Sequence, residues 1–199
     1  MKSVFLFSVF FLSQFAQGQN LPQLTSQYIL STEIEMQMGW REETIAYATS
    51  AGKARYEELR NSGWECQLKK GWAICKSKNV EAITGAEKVE LLKQYNGYEK
   101  IILGDAKSAP ELIHEAPAYR EYRLSQTLDW GNFRWPELKL YVSEDLYKLN
   151  LPNAQGQTDE AFTILSDGRL ERQTRFTRHV SRWVQDTLII GLRWNPVLR

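Results

Sequence analysis

Cysteine and histidine are scarce in this chain of 199 residues, and their scarcity excludes several kinds of catalytic site. The histidines, His114 and His179, are too few for a histidine-rich metal site. The pair His114-Glu115 begins like a zinc-protease helix motif, but the second histidine of that motif is missing. We therefore assign no catalytic residue, no metal ligand and no cofactor from the sequence, and an enzyme is the less favoured interpretation.

The chain also lacks an apolar run long enough to span a bilayer. The apolar segment that includes Val4 to Leu12 has only about a dozen apolar residues, fewer than the roughly 20 that a transmembrane helix needs. Lys2 before this run and Ala16-Gln17-Gly18 after it predict a signal peptide over residues 1–18, with cleavage before Gln19. None of the eight asparagines begins a glycosylation sequon, which favours a bacterial envelope. We expect an exported protein, periplasmic or extracellular, with no transmembrane span after cleavage.

The expected mature chain has no net charge. Loss of residues 1–18 removes one of 25 basic residues and leaves 24, equal to the 24 acidic residues. Dedicated nucleic-acid binders are strongly basic, so we expect no nucleic-acid partner. The charge is nevertheless segregated along the chain, because residues 160–199 contain seven arginines and four acidic residues.

The chain does contain clear strand and helix patterns. Glu33 to Trp40 alternates like a half-buried strand, whose apolar face would carry Ile34, Met36, Met38 and Trp40. Helical spacing follows Ser50, and Thr84 and Glu87 form a capping box before a second helix. The patterns predict an α+β fold with a mostly antiparallel sheet, two packed helices and a disulfide-clamped β-hairpin.

The predicted domain organisation is simple. Residues 19–31 are a polar lead-in, and residues 32–199 form a single α+β domain. The segment 104–118 contains two prolines and is the best position for a linker, so any subdivision of the domain would fall there.

Cys66 and Cys75 select the register of one predicted hairpin. A turn at Lys70-Gly71 places the two cysteines opposite each other and brings Leu68 and Ala73 to the same face. Two cysteines in an exported chain most simply form a structural disulfide, and the spacing is not that of a redox Cys-x-x-Cys motif. Closing so short a loop contributes about 2–3 kcal/mol to stability.

The stretch from Glu160 to Trp194 is rich in branched and aromatic residues, which favour strands. A three-residue loop at 166–168 would set Ile164 opposite Leu170 and collect the apolar residues on one face. Continued alternation then predicts that this apolar face carries Arg172, Arg178 and Arg182.

A buried guanidinium keeps its proton and must be paired, so three outcomes are open for these arginines. Pairing with carboxylates elsewhere in the chain is the first. Exposure to water is the second, and an anionic ligand held by Arg172, Arg178 and Arg182 is the third. The third outcome makes these arginines candidate binding residues.

A second candidate surface is the aromatic segment from Trp130 to Pro136. Gly131, Asn132 and Pro136 make a regular buried strand unexpected here, so Trp130, Phe133 and Trp135 are predicted to contribute to a partner surface. The alternative is that the three rings close one end of the sheet.

These observations predict an exported, non-enzymatic binding or structural protein of the cell envelope. Its partner would be an envelope protein or an anionic or glycan polymer. The alternative is a secreted hydrolase of envelope polymers, which requires two carboxylates facing each other across a cleft. An open surface of aromatic residues and arginines would favour binding instead.

Overall fold

The structure is a computed structural model that describes residues 21–198. Strands β1 to β13 span Gln27–Ala46, Glu65–Lys69, Trp72–Ser77, Lys100–Leu103, Glu111–Ala116, Tyr119–Leu124, Leu128–Trp130, Phe133–Trp135, Leu138–Ser143, Tyr147–Pro152, Thr158–Ile164, Leu170–His179 and Val184–Pro196. Helices α1 and α2 span Ser50–Asn61 and Gly85–Lys93. The antiparallel sheet and the two helices are confirmed. With 53% of residues in strands and 12% in helices, however, the fold is richer in sheet than the α+β prediction implied.

The strands form one antiparallel sheet in the order β5-β6-β9-β10-β11-β12-β13-β1-β4-β7-β8. Strand β1 is long enough to pair with three strands, β13, β3 and β4, and β2 in turn pairs with β3. One face of this sheet packs into the main core, whose largest fully buried side chains include Trp194, Tyr28 and Phe162.

Strand β1 contains bulges that change which side chains face the core. The ladder with β13 shifts between Met36 and Met38, so an extra residue interrupts the predicted alternation. Met36 packs against the core, whereas Met38 is 60% exposed. Gly39 then takes the core-facing position, where an added Cβ would lie 2.8 Å from Leu188. The prediction that Met38 and Trp40 share the apolar face is therefore wrong.

Helix α1 covers a small second core beneath the cysteine hairpin. Thr49 is its N-cap, and the Thr49 hydroxyl accepts a hydrogen bond from the Gly52 N–H. The core beneath it contains Ile45, Tyr56, Leu59, Ala73 and Cys75.

The Cys66–Cys75 disulfide is confirmed. The two cysteines are directly paired across β2 and β3. The connecting turn consists of Lys70 and Gly71, whose φ angles of 48° and 84° are typical of a two-residue hairpin turn.

Helix α2 begins with the predicted capping box. The Thr84 hydroxyl accepts the Glu87 N–H, and the Glu87 carboxylate accepts the Thr84 N–H. The helix buries Leu91 against the sheet and leads into a turn that carries Tyr95 and Tyr98.

The three-residue loop between β11 and β12 is also confirmed. Leu165 and Arg169 close it, Gly168 has a φ angle of 83°, and Ile164 pairs with Leu170. Only two residue pairs join β11 to β12, after which the strands separate.

Strand β12 ends earlier than predicted. It stops at His179, and the Val184 carbonyl accepts hydrogen bonds from the N–H groups of Val180 and Ser181. Arg182 therefore lies in a turn rather than on the strand. Its predicted place on the same face as the other arginines is wrong because the turn ends the alternation.

Two segments that were predicted to be irregular contain strands. β1 begins at Gln27, inside the expected polar lead-in, and buries Tyr28 completely. β5 occupies Glu111–Ala116, inside the expected linker, and pairs with β6. Within residues 21–198, neither helix is long and apolar enough to span a membrane.

Candidate functional site

Arg172 and Arg178 of β12 contact two different sets of partners. Arg178 donates to the buried Asp186 carboxylate at 2.7 Å and approaches Glu87 of α2 at 3.4 Å. Arg41 of β1 donates to the same Asp186 at 2.7 Å and 3.0 Å. Hydrogen bonds from Arg41, opposed by burial and reinforced by Arg178, hold the pKa of Asp186 below its ordinary value. Arg178 is therefore paired within the chain, and its predicted role in ligand binding stays a prediction.

Arg172 takes part in a separate ion pair. Its guanidinium donates to both Glu160 oxygens at 2.8 Å and to the Tyr95 hydroxyl at 2.9 Å. Burial disfavours the charged form of Arg172, but the hydrogen bonds of Glu160 and Tyr95 outweigh it and raise the pKa of the guanidinium. The guanidinium carbon also lies 5.6 Å from the centre of the Trp130 ring. This contact joins β12 to the aromatic segment.

The aromatic segment folds as a tight hairpin of β7 and β8. Gly131 and Asn132 form the turn, and Trp130 pairs with Phe133. A regular strand was not predicted here. The two-residue turn of the hairpin requires a left-handed backbone, which Gly131 provides with a φ angle of 58°. Trp130 and Trp135 are 5% and 7% exposed, while Phe133 is 57% exposed. The hairpin thus divides between the core and the surface.

Together, Arg172 and the aromatic hairpin line one cleft of about 340 Å³. The cleft is also lined by Gln94, Tyr95, Tyr98, Asp159 and Glu160. Its volume lies at the lower end of the range for small-molecule sites, which combine apolar walls with a few polar groups. The structure thus brings together four of the six predicted site residues. Arg178 and Arg182 do not line this cleft.

The aromatic rings of the cleft hold one another in place. Tyr98 stacks on Phe133 with ring centres 6.5 Å apart and meets Trp130 edge-on at 5.2 Å. The Tyr98 carbonyl accepts the indole N–H groups of Trp130 and Trp194 at 2.9 Å and 3.1 Å. An added Cβ at Gly131 would lie 2.3 Å from the Tyr98 ring, so only glycine fits there. These contacts fix the Tyr98 ring, against which the exposed Phe133 ring packs.

A second cavity of about 510 Å³ opens where β11 and β12 separate. It shares Asp159, Glu160 and Arg172 with the aromatic cleft. The Arg172–Glu160 pair therefore lies at the boundary between an aromatic space and a polar one.

Sequence reasoning missed Tyr95, Tyr98 and Glu160 as cleft residues. A local signal was present, because Tyr95 and Tyr98 flank Asn96-Gly97 as Trp130 and Phe133 flank Gly131-Asn132. Each segment has one aromatic residue on each side of a tight turn. The proximity of Glu160 to Arg172, in contrast, depends on where β11 and β12 separate.

Neither His114 nor His179 lines the cleft, and both side chains are exposed. Among the described residues, no group of three or more histidine, cysteine, aspartate or glutamate side chains is arranged to hold a metal ion.

Comparison of the chain with protein-family models, curated proteins and solved structures found no match.

Proposed function

We propose that this chain is a non-enzymatic binding protein of the cell envelope that holds an uncharged glycan in the aromatic cleft. The observation that carries the proposal is the convergence of Phe133, Tyr98 and Tyr95 beside polar groups in one cavity. The apolar faces of sugar rings pack on aromatic side chains, while their hydroxyls need hydrogen-bonding groups at the rim.

The charge of the cleft favours an uncharged ligand over an anionic one. Glu160 neutralises Arg172 through two hydrogen bonds, and Asp159 adds an exposed negative charge. An anionic ligand would have to compete with Glu160 for the guanidinium and would meet Asp159 as well.

The same pairing supports binding over hydrolysis. A glycosidase needs two carboxyl groups on opposite sides of the scissile bond. The two carboxylates that line the cleft, Asp159 and Glu160, are adjacent in β11, and Glu160 is engaged by Arg172. This arrangement favours a structural role for Glu160.

The test is calorimetric titration of the mature chain with neutral chito-oligosaccharides and cello-oligosaccharides, and with acidic oligogalacturonides for comparison. We expect a neutral oligosaccharide to bind and Phe133→Ala to weaken that binding roughly five- to tenfold, because one stacking contact is lost. Trp72→Ala is the matched control, since Trp72 is an exposed aromatic residue outside the cleft.

Three results would contradict the proposal. The first is preferential binding of the acidic oligosaccharides, and the second is equal weakening by both variants. Release of new reducing ends from any of these sugars would support the hydrolase alternative instead. Cell fractionation and N-terminal sequencing test the envelope assignment separately, with Gln19 as the expected first residue.

A further inference from the structure

Two hairpin turns meet at a place well separated in sequence from the cleft. The β2–β3 turn ends at Trp72, and the β12–β13 turn ends at Trp183. Their rings are tilted by 32° with centres 5.5 Å apart. The Thr44 N–H of β1 donates to the Trp183 carbonyl at 2.9 Å, and Ala46 of β1 pairs with Trp72. Strand β1 therefore holds both turns side by side. We call residues 69–72 and 180–183 together the tip surface.

The tip surface exposes large apolar side chains. Trp72 and Trp183 are 41% and 47% exposed, and Val180 is 50% exposed. A single exposed apolar residue is ordinary, but two exposed tryptophan rings in contact form an apolar patch, and Val180 belongs to the same turn as Trp183. Such patches mark interaction sites. An added Cβ at Gly71 would meet no atom within 4 Å, so the turn projects into open space.

The charged residues within the two turns are all basic. Lys69, Lys70 and Arg182 belong to the two turns, and the Arg182 guanidinium carbon lies 4.7 Å from the centre of the Trp183 ring. Residues 66–75 and 172–185 contain no aspartate or glutamate.

The acidic side chains of the neighbouring strand are already paired. In β1, Glu42 forms an ion pair with Lys76, and Glu43 forms one with Arg55. The cations of the tip surface are therefore not neutralised by these carboxylates and remain available to an anionic partner.

We propose that the tip surface docks on a membrane that contains anionic lipids. Tryptophan rings settle at the level of lipid headgroups, where their apolar body and their indole N–H are both satisfied. Lysine and arginine beside them gain from the negative surface potential of an anionic leaflet. The Lys70-Gly71 turn projects into open space and can therefore reach a flat lipid surface, whereas a polymer chain is typically bound in a groove. This inference is independent of glycan binding in the cleft.

The test is co-sedimentation of the mature chain with vesicles of phosphatidylcholine alone or of phosphatidylcholine mixed with phosphatidylglycerol. We expect binding to the mixed vesicles only, with a blue shift of tryptophan fluorescence and a loss of binding as salt is added. Neutralising Lys69, Lys70 and Arg182 with glutamine should weaken partitioning about fivefold per residue. Trp72→Ala and Trp183→Ala should each weaken it roughly tenfold, the effect of about 60 Å² of apolar area.

Two controls separate the tip surface from nonspecific charge and from the cleft. Replacing Lys78, Lys100 and Lys107 with glutamine removes the same net charge from exposed positions outside both turns and should leave partitioning nearly unchanged. Phe133→Ala should also leave it unchanged, so failure of the membrane proposal and failure of the glycan proposal are distinguishable.

Equal binding to both vesicle types, or equal weakening by the two glutamine triples, would overturn the proposal. Absence of vesicle binding together with tip-dependent binding of inorganic polyphosphate would also overturn it, because the ligand would then be a soluble polyanion.

Discussion

Replacing Asp186 with asparagine removes the central carboxylate of the Arg41–Asp186–Arg178 cluster. The Asp186 side chain is fully buried and accepts four hydrogen bonds from the two guanidinium groups. Asparagine preserves the size of the side chain and one oxygen, but it removes the negative charge and turns an NH₂ group toward the arginines. Both arginines then lose their shared counter-ion, although Arg178 keeps its weaker contact with Glu87.

The expected loss follows from the burial of the three groups. Breaking a buried ion pair costs about 3–5 kcal/mol. The Arg41 and Arg178 side chains are 28% and 17% exposed and regain some hydration, so we expect the lower end, about 3 kcal/mol. For a chain of this size, that loss lowers the melting temperature by roughly 6–12 °C. The matched control is Asp167→Asn, because the Asp167–Arg169 pair is exposed and should cost less than about 1 kcal/mol.

The sign of the pH dependence gives a second readout. The pKa of Asp186 is lowered by its hydrogen bonds with Arg41, in spite of burial, and by Arg178. A group with a depressed folded-state pKa contributes stability above its unfolded pKa of about 3.9, and this contribution disappears as the pH falls through the folded-state pKa.

Urea unfolding of the wild type, Asp186→Asn and Asp167→Asn at neutral pH, and again below pH 4, measures both effects. The difference between the wild type and Asp186→Asn should shrink in acid. The reasoning is refuted if Asp186→Asn costs no more than Asp167→Asn, or if its cost is the same at both pH values.

Three other substitutions test local features of the fold. Replacing Cys66 and Cys75 with alanine should lower the free energy of unfolding by about 2–3 kcal/mol, measured with urea under non-reducing conditions, and intact mass before and after reduction reports the bond itself. Gly131→Ala should cost about 1–3 kcal/mol, because the φ of 58° and the Tyr98 ring both oppose a side chain, and calorimetric titration should show weaker oligosaccharide binding. Thr84→Ala should cost about 1 kcal/mol through loss of the capping box, measured by thermal unfolding, and an unchanged melting temperature would show that α2 does not depend on this cap.

Features that depend on short sequence separations were predictable. The Cys66–Cys75 register and the three-residue loop before Leu170 follow from residues within about ten positions of each other, where turn geometry fixes which side chains are opposite. The capping box of Thr84 is likewise complete within four residues.

Features that depend on distant partners were not predictable. The bulge between Met36 and Met38 is defined against β13, about 150 residues later in the chain, so alternation within β1 alone gave the wrong face for Met38. The partners of the arginines were missed for a different reason. Asp186 lies opposite Arg178 across the β12–β13 hairpin, whose turn was not predicted, and Glu160 pairs with Arg172 at the place where β11 and β12 separate. The sequence patterns therefore identified the arginine and aromatic residues of the cleft, but they did not identify the residues that contact them in the folded chain.

The pairing of β1 with β13 has a consequence for how the chain reaches its native state. Strands β5, β6, β9, β10 and β11 connect residues that are close in sequence, so their hairpins can form early and independently of the rest. The β1–β13 ladder joins strands from opposite ends of the described residues and requires closure of a very long loop. Closing it is the slow step that we expect to limit the folding rate, and until it closes β12 and β13 expose an apolar hairpin to aggregation. The interval before the β1–β13 ladder closes is therefore the period in which we expect this chain to be most prone to aggregation.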